Sequence, residues 1–468
     1  MKAEGRQEFC TLFSNPKSKT KTALYALGLR EAARAIHKGD LSSEDFTRAL
    51  FDRIKAHEEG VQAFQWIDPS RALDLACRAD ERRRSGAPPG PLHGIGVGIK
   101  DIIETRDIPT TMGSPIYEGF IPESSATVVR RLETAGAFVL GKTVTSEFAF
   151  FTPGKTRNPW NQDHTPGGSS SGSAAAVAMG FVPAAIGTQT NGSVIRPAAF
   201  CGVVGYKPTA GLIPLDGIHP FSPSLDQVGV FARSVPDAAF LAAVLEKRDP
   251  YPASGSKNSV ICGDVAPMAC PPRLAAVRSP VWHLADQNTR DHFLALVERL
   301  RAAGATVEER ELPRAFKQAH AVHRTIMYAE GAKGFAELQR HHRRRISPRL
   351  NGLIDEGLGI GQSVLARDLA QRDQLSGDMD IFLSEFDAAI TPPATGQAPA
   401  DLTQTGDPAF CTIWSLCGVP AVTIPAGEGP QGLPLGLQLI GKRLADWRLL
   451  SIAKWCDEAI GWSKRIVS

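Results

Sequence analysis

Two glycine-flanked serines are of a type and setting that could supply a nucleophile, and one lysine at a strand end could supply a base. Lys100 closes the apolar, glycine-rich run Leu92–Asp101 (L-H-G-I-G-V-G-I-K-D). Ser169 follows Gly167 and Gly168, and Ser193 follows Asn191 and Gly192 in T-Q-T-N-G-S-V-I-R-P. Glycine serves where backbone turns sharply or approaches another group closely, and such turns present serines well. A lysine buried at a strand end is disfavoured in its charged form, so its neutral amine becomes available as a base. To serve at neutral pH its pKa must fall from a reference near 10.4 to about 8 or below. Thr190, Asn191, Gly192 and Ser193 form a turn that can aim several backbone N–H groups at one point, as an oxyanion hole requires. Taken singly, each residue also fits a blander duty: a surface lysine or one paired with Asp101, and a turn or N-cap serine.

Other patterns compete and are weaker. A Gly/Ser linker would not run on into A-A-A-V-A-M and V-P-A-A-I-G. Gly168–Gly172 matches G-x-S-x-G with Ser170 at its centre, but that nucleophile elbow needs a preceding apolar strand and a later histidine. Here Thr165-Pro166 precedes it, and no histidine follows His342. No phosphate-binding G-x-x-x-x-G-K-[ST] occurs. Arg196, one helical turn after Ser193, is expected to brace the site by pairing with Asp226, with a substrate carboxylate as its other role. Cys201 reads as a small buried side chain. His320 and His323 lack a third metal ligand and are expected on a helix surface, so no metal is assigned. R-H-H-R-R-R at 340–345 reads as a basic helix end. Phe148, Phe150 and Phe151 suit a pocket wall or the core.

The elements that must position these residues alternate. Helices are expected at Ala23–Lys38, from Ser42 (with Asp45 completing a capping-box-like start), and from Asp68-Pro69. The strand ending at Lys100 follows. Next come a helix at about 125–135, the strand F-V-L-G and a helix near Ser146. A small-residue helix at about Gly172–Met179 leads to a strand at about Val182–Gly187. Gly202–Pro208 and Asp226–Phe231 are further core strands. After a loop-like stretch at 249–272 come a strand–helix–strand unit and long helices to about residue 386. Strand character then returns, and a helix at Trp447–Ile460 closes the chain. Helices alternating with short apolar strands indicate an α/β fold with a buried sheet.

Composition sets wider bounds. The chain has 468 residues, is 43% hydrophobic and 22% charged, and carries a formal net charge of +3. That balance is ordinary for a globular protein with a sizeable core and too mild to argue for nucleic acid or a membrane surface. Its eight cysteines are scattered without a C-x-x-C pair and read as buried thiols in a reducing compartment. No signal-like start and no apolar run of spanning length is present, so a cytoplasmic enzyme is expected. Residues 1–22 read as a loose tail and 23–468 as one large domain.

The combined motifs G-G-S-S-S-G-S-A-A-A-V-A and G-T-Q-T-N-G-S-V-I-R-P-A-A-F-C-G-V-V-G-Y-K-P-T resemble the amidase signature family. So do H-G-I-G-V-G-I-K-D, L-G-K-T, S-L-D-Q-V-G-V-F-A-R-S-V and G-L-P-L-G-L-Q-L-I-G. The resemblance is strong over about 23–245 and moderate over 385–460. It implies a single domain with a mixed, mostly buried sheet covered by helices on both faces. It also implies a Ser–cis-Ser–Lys triad, with Ser193 as nucleophile, Ser169 as bridging serine in a cis peptide after Gly168, and Lys100 as base. Backbone N–H groups of residues 190–193 would line the oxyanion hole, with Gly168, Arg196 and Asp226 in support. A small-molecule amide is the implied substrate, without cofactor, nucleic acid or membrane, and a homodimer stays open. The unmatched segment of about 270–385 is expected to cover the site and set specificity. Two residues depart from the family pattern: Gly96, where proline is usual and a loosened strand is expected, and Asn191, where glycine is usual. Asparagine tolerates positive φ, and its side chain could narrow the pocket or add a hydrogen bond. The rival reading is the glutamine-hydrolysing subunit of a tRNA-dependent amidotransferase. Its Y-G-R-V-S-R-like continuation after K-P-T is here A-G-L-I-P-L-D-G. A non-catalytic relative is disfavoured by the intact triad, and ester cleavage stays open.

Overall fold

The computed structural model describes residues 23–246 and 265–466, so the expected tail and most of the 249–272 loop lie outside the described residues. Eleven strands form one sheet: β1 (Phe64–Ile67), β2 (Gly96–Lys100), β3 (Phe138–Thr143), β4 (Ala184–Gln189), β5 (Val204–Lys207), β6 (Gln227–Ala232), β7 (Arg273–Arg278), β8 (Thr306–Glu311), β9 (Ala388–Thr391), β10 (Ala421–Glu428) and β11 (Pro434–Ile440). Their order is β1-β3-β2-β4-β6-β5-β10-β11-β9-β7-β8. The sheet is mixed: β2 runs parallel to β3 and β4, and β7 to β8 and β9, while the other pairs are antiparallel. Strands β2 to β6, β9 and β11 are buried at every position, so both faces are covered and the apolar runs need no alternation.

Local signals placed many helix ends. Ser42 Oγ accepts from the Asp45 N–H at 2.9 Å and Asp68 Oδ1 from the Arg71 N–H at 3.0 Å, each satisfying a first-turn donor. Gly39, at φ 81°, ends the first helix, which begins at Leu29 after a short turn and not at Ala23. The helix Val235–Leu245 shows no periodic stripe, because ten of its eleven residues are buried and it lacks a polar face; only its start is marked, by Ser234, whose Oγ accepts from the Asp237 N–H at 3.2 Å, and by Pro236 in the first turn. The helix expected near Ser146 is absent. Glu147–Ala149 forms a single 3₁₀ turn with Phe148 and Ala149 at positive φ. Its backbone is held from elsewhere, Ser146 N–H donating to Ser169 O and Phe148 N–H to Met112 O, so no helical ladder propagates.

The helix Ser171–Ala178 is buried along its whole length. Small side chains make that burial feasible. A Cβ added to Gly172 would lie 2.2 Å from Ala63 O and 2.3 Å from Val144 N, so backbone touches backbone there. Its N-terminal end is thereby pinned beside β3, with Ser169 just ahead of it. Of the cysteines described, Cys201, Cys411, Cys417 and Cys456 are buried, but Cys270 is exposed, contrary to the uniform burial expected.

Candidate active site

Register brings the site together. Gly98 pairs with Ala185 and Ile99 with Ile186 across parallel β2 and β4, so the carboxyl ends of both strands reach the same edge. Lys100 thus arrives beside Thr188, and the chain leaving β4 makes the 190–193 turn next to it. Across antiparallel β4 and β6, Gln189 pairs with Gln227, which sets Asp226 beside Thr190.

Lys100 is fully buried, and its Nζ donates to Ser169 Oγ at 2.7 Å and to Thr188 Oγ1 at 2.8 Å. Asp101 does not pair with it; that carboxylate meets Lys142 and Thr111 instead. Burial lowers the Lys100 pKa to about 7, with the charge of Asp226 pulling it back up. The Gly168–Ser169 peptide is cis. Ser169 and Ser193 open onto one cavity, lined also by Thr190, Asn191, Gly192 and Arg196 and, on the apolar side, by Ala149, Phe150, Phe151, Phe221 and Met327. Phe150 stacks on Phe221 with centroids 5.3 Å apart, while Phe148 is core. A second hollow of about 350 Å³ shares Ala149, Thr190 and Phe221 and reaches Thr188 and Asp226. A larger one, about 460 Å³, lies by Arg78, Arg82 and His93 and holds none of the site residues.

Many donors and acceptors fix the turn. Gln189 Oε1 accepts from the N–H groups of Val194 at 2.8 Å and Ile195 at 3.0 Å, and its Nε2 donates to Ser415 Oγ at 2.9 Å. Ser415 Oγ in turn donates to Asn191 O. Thr190 Oγ1 donates to Asp226 Oδ1 at 2.5 Å, and Asp226 Oδ2 accepts from the N–H groups of Phe221 and Ser222. Burial raises the Asp226 pKa to about 6, against those hydrogen bonds. Asn191 does not adopt positive φ. Its Oδ1 accepts from Thr412 Oγ1 at 2.8 Å, so the departure from glycine supplies an internal hydrogen bond. Gly96 marks close packing, not a loosened strand: a Cβ there would lie 2.7 Å from Leu140 Cδ1.

Two further expectations are corrected. Arg196 does not pair with Asp226. Its Nη2 donates to Gly168 O at 2.7 Å and to Thr405 Oγ1 at 3.2 Å, bracing the cis loop from behind. Asp226 is held instead by Thr190, Phe221 and Ser222. The histidines are not on a helix surface. His323 is buried with Nε2 3.0 Å from Thr190 O, and His320 is partly buried with Nε2 2.9 Å from Ala409 O. Carbonyl partners inside the protein drew both rings inward. Ser170 turns from the cavity and exchanges hydrogen bonds with the Thr188 backbone. Among the described residues no three His, Cys, Asp or Glu converge as a metal site, and no helix is long and apolar enough to cross a membrane.

Residue-level reading missed Thr188, Thr405, Thr412, Ser415, Phe221 and Met327. Thr188 alone carried a signal, because it directly follows the strand expected at about Val182–Gly187. The others reach the site from distant elements.

Comparison with known proteins agrees with this geometry. The amidase family model matches residues 45–450. A glutamyl-tRNA(Gln) amidotransferase subunit from Chloroflexus aggregans is 35% identical over 95% of this chain and 98% of its own. The structure of native peptide amidase from Stenotrophomonas maltophilia superposes with a TM-score of 0.81 at 30% identity, covering 94% of this chain and 98% of that one. A glutamyl-tRNA(Gln) amidotransferase subunit from Thermotoga maritima does so at 0.77 and 30% identity, over 93% and 95%. With its sheet, its cis Gly168–Ser169 peptide and its buried lysine on Ser169, the chain belongs to the amidase family and is a hydrolase of amide carbon–nitrogen bonds.

Proposed function

We propose that the chain hydrolyses a carboxylic amide with an apolar acyl group, through an acyl-enzyme on Ser193, to a carboxylate and ammonia or an amine. Neutral Lys100 takes the proton of Ser169 as Ser169 takes that of Ser193, and Ser193 Oγ attacks the amide carbonyl. The negative oxygen is met by N–H groups of the 190–193 turn. The proton returns through Ser169 to the leaving nitrogen, and water activated by the same relay releases the acid. The observation that carries this reading is the buried Lys100 amine 2.7 Å from Ser169 Oγ, with Ser169 and Ser193 lining one cavity. The acyl preference follows from Phe150, Phe151, Phe221 and Met327 on that cavity.

The curated relatives favour a second reading, the glutamine-hydrolysing subunit of an amidotransferase complex. One feature weighs against it: the A-G-L-I-P-L-D-G continuation differs from that subunit's pattern. An ammonia-release screen over aliphatic, aromatic and dicarboxylic amides tests the proposal. Activity on neutral apolar amides, abolished by Ser193→Ala with the fold intact, is expected. Full activity in Ser193→Ala refutes the nucleophile. Ammonia from glutamine only in the presence of two partner subunits establishes the second reading.

A further inference from the structure

We propose that His323 is a positioning residue that aligns the oxyanion hole from the helix Ala319–His342, making the covering segment part of the catalytic apparatus. The inference rests on the reading of Ser193 as nucleophile. His323 is buried, and its Nε2 lies 3.0 Å from Thr190 O. A carbonyl oxygen only accepts, so Nε2 carries the proton and donates. Burial also lowers the ring's pKa to about 4, so it stays neutral at working pH.

Peptide geometry turns this contact into an alignment. In a trans peptide the C=O of one residue and the N–H of the next point to opposite sides. Thr190 O is drawn toward His323, so the Asn191 N–H is turned the other way. Ser415 Oγ, donating to Asn191 O, does the same for the Gly192 N–H. Among the described residues neither N–H meets a protein acceptor, and both residues line the cavity. Two donors of the hole are thus aimed from outside the turn, one of them by a histidine 133 positions along the chain.

The same helix does two further things. His320, one turn before His323, donates to Ala409 O and anchors the helix to the segment carrying Thr412 and Ser415. Met327, one turn after His323, lines the cavity beside the acyl position. A helix displaced by an ill-fitting acyl group would therefore loosen its hydrogen bond to Thr190 O, and fit at Met327 is felt at the oxyanion.

A fluorophosphonate probe tests this without knowledge of the substrate. Ser193 Oγ bonds to phosphorus as fluoride leaves, and the phosphoryl oxygen occupies the oxyanion hole. His323→Leu keeps comparable volume without a donor. His323→Gln can place an amide N–H near the Nε2 position, whereas the shorter His323→Asn cannot. Labelling is expected to slow about 10- to 100-fold in His323→Leu and His323→Asn and to stay within about fivefold of wild type in His323→Gln. With an amide found by the screen, the loss should fall on kcat, with KM changed less than about threefold. The proposal is overturned if His323→Leu labels like wild type, or if the Gln and Asn variants are equally slow, which would assign the ring's volume alone. Should His323→Leu not fold, the Gln and Asn pair decides. Wild type left unlabelled would overturn the Ser193 reading and this one with it; equal labelling of wild type and His323→Leu overturns only this one.

Discussion

Replacing Lys100 by methionine removes the amine and keeps most of the side chain's length. In the folded protein Nζ has two partners, Ser169 Oγ and Thr188 Oγ1, and no adjoining carboxylate. With a pKa of about 7, about half of the lysines are neutral at pH 7 and ready to accept a proton. Without the amine Ser169 has nothing to pass its proton to. The expected fall in kcat/KM is at the upper end of general-base effects, about 10³- to 10⁴-fold, or about 4–5.5 kcal/mol. Stability should not fall at neutral pH: the buried lysine, whose pKa is lowered on folding, costs stability below its unfolded value, and that cost leaves with the amine, against two hydroxyl hydrogen bonds of about 1 kcal/mol each. A melting temperature at or above that of wild type is expected at about pH 7. Lys100→Arg keeps donors and charge but cannot release a proton at working pH, so it should be as inactive as the methionine variant. It should also be less stable, since it keeps an unpaired charge buried. Ammonia release under single-substrate conditions, beside thermal unfolding, measures both. The sign of the wild-type pH profile follows from the same group: protonated Lys100 is inactive, so kcat/KM should fall about tenfold for each pH unit below about 7. More than about a tenth of wild-type activity in Lys100→Arg would refute the base assignment.

Asp226→Asn tests the charge nearest the lysine. The carboxylate raises the Lys100 pKa, so its removal should carry the acid limb of kcat/KM to lower pH; a limb that stays put or moves up shows that the charge is not felt. Arg196→Gln tests bracing against substrate binding. A brace on Gly168 O should lower kcat on neutral and carboxylate-bearing amides alike, by about 10-fold or more. An effect confined to KM for carboxylate-bearing amides would make Arg196 a substrate ligand.

How legible the site was depends on how far each contact reaches. Ser42, Gly39 and Asp68 act within one turn of their own helix, and their identities alone placed those ends. That Lys100, Ser169 and Ser193 gather at one place was legible because three local motifs each carry one of them, although Lys100 and Ser169 are 69 positions apart. What stayed dark is the choice of partner. A buried guanidinium must find acceptors, but whether these are Asp226 or Gly168 O and Thr405 is decided by which side of the turn each element packs on. The same holds for His323, whose helix lacks the clear apolar stripe from which inward residues could be read. Both of its inward histidines thus passed as surface residues.

One of these links could have been derived. Once β4 and β6 are taken as antiparallel neighbours with Gln189 opposite Gln227, Thr190 stands opposite Asp226, where its Oγ1 donates to that carboxylate. Sheet register carries information that motif spacing lacks: it relates residues by their positions on neighbouring strands, whatever the length of chain between them. That logic also assigns Asp226 its effect. Fixed by register beside Thr190 and near the end of β2, it acts on Lys100 through space without touching it, opposing the burial that lowers the lysine's pKa. The working pKa of the amine is therefore a balance between complete burial and one carboxylate placed by the sheet, and the direction in which Asp226→Asn moves the acid limb is the direct measure of that balance.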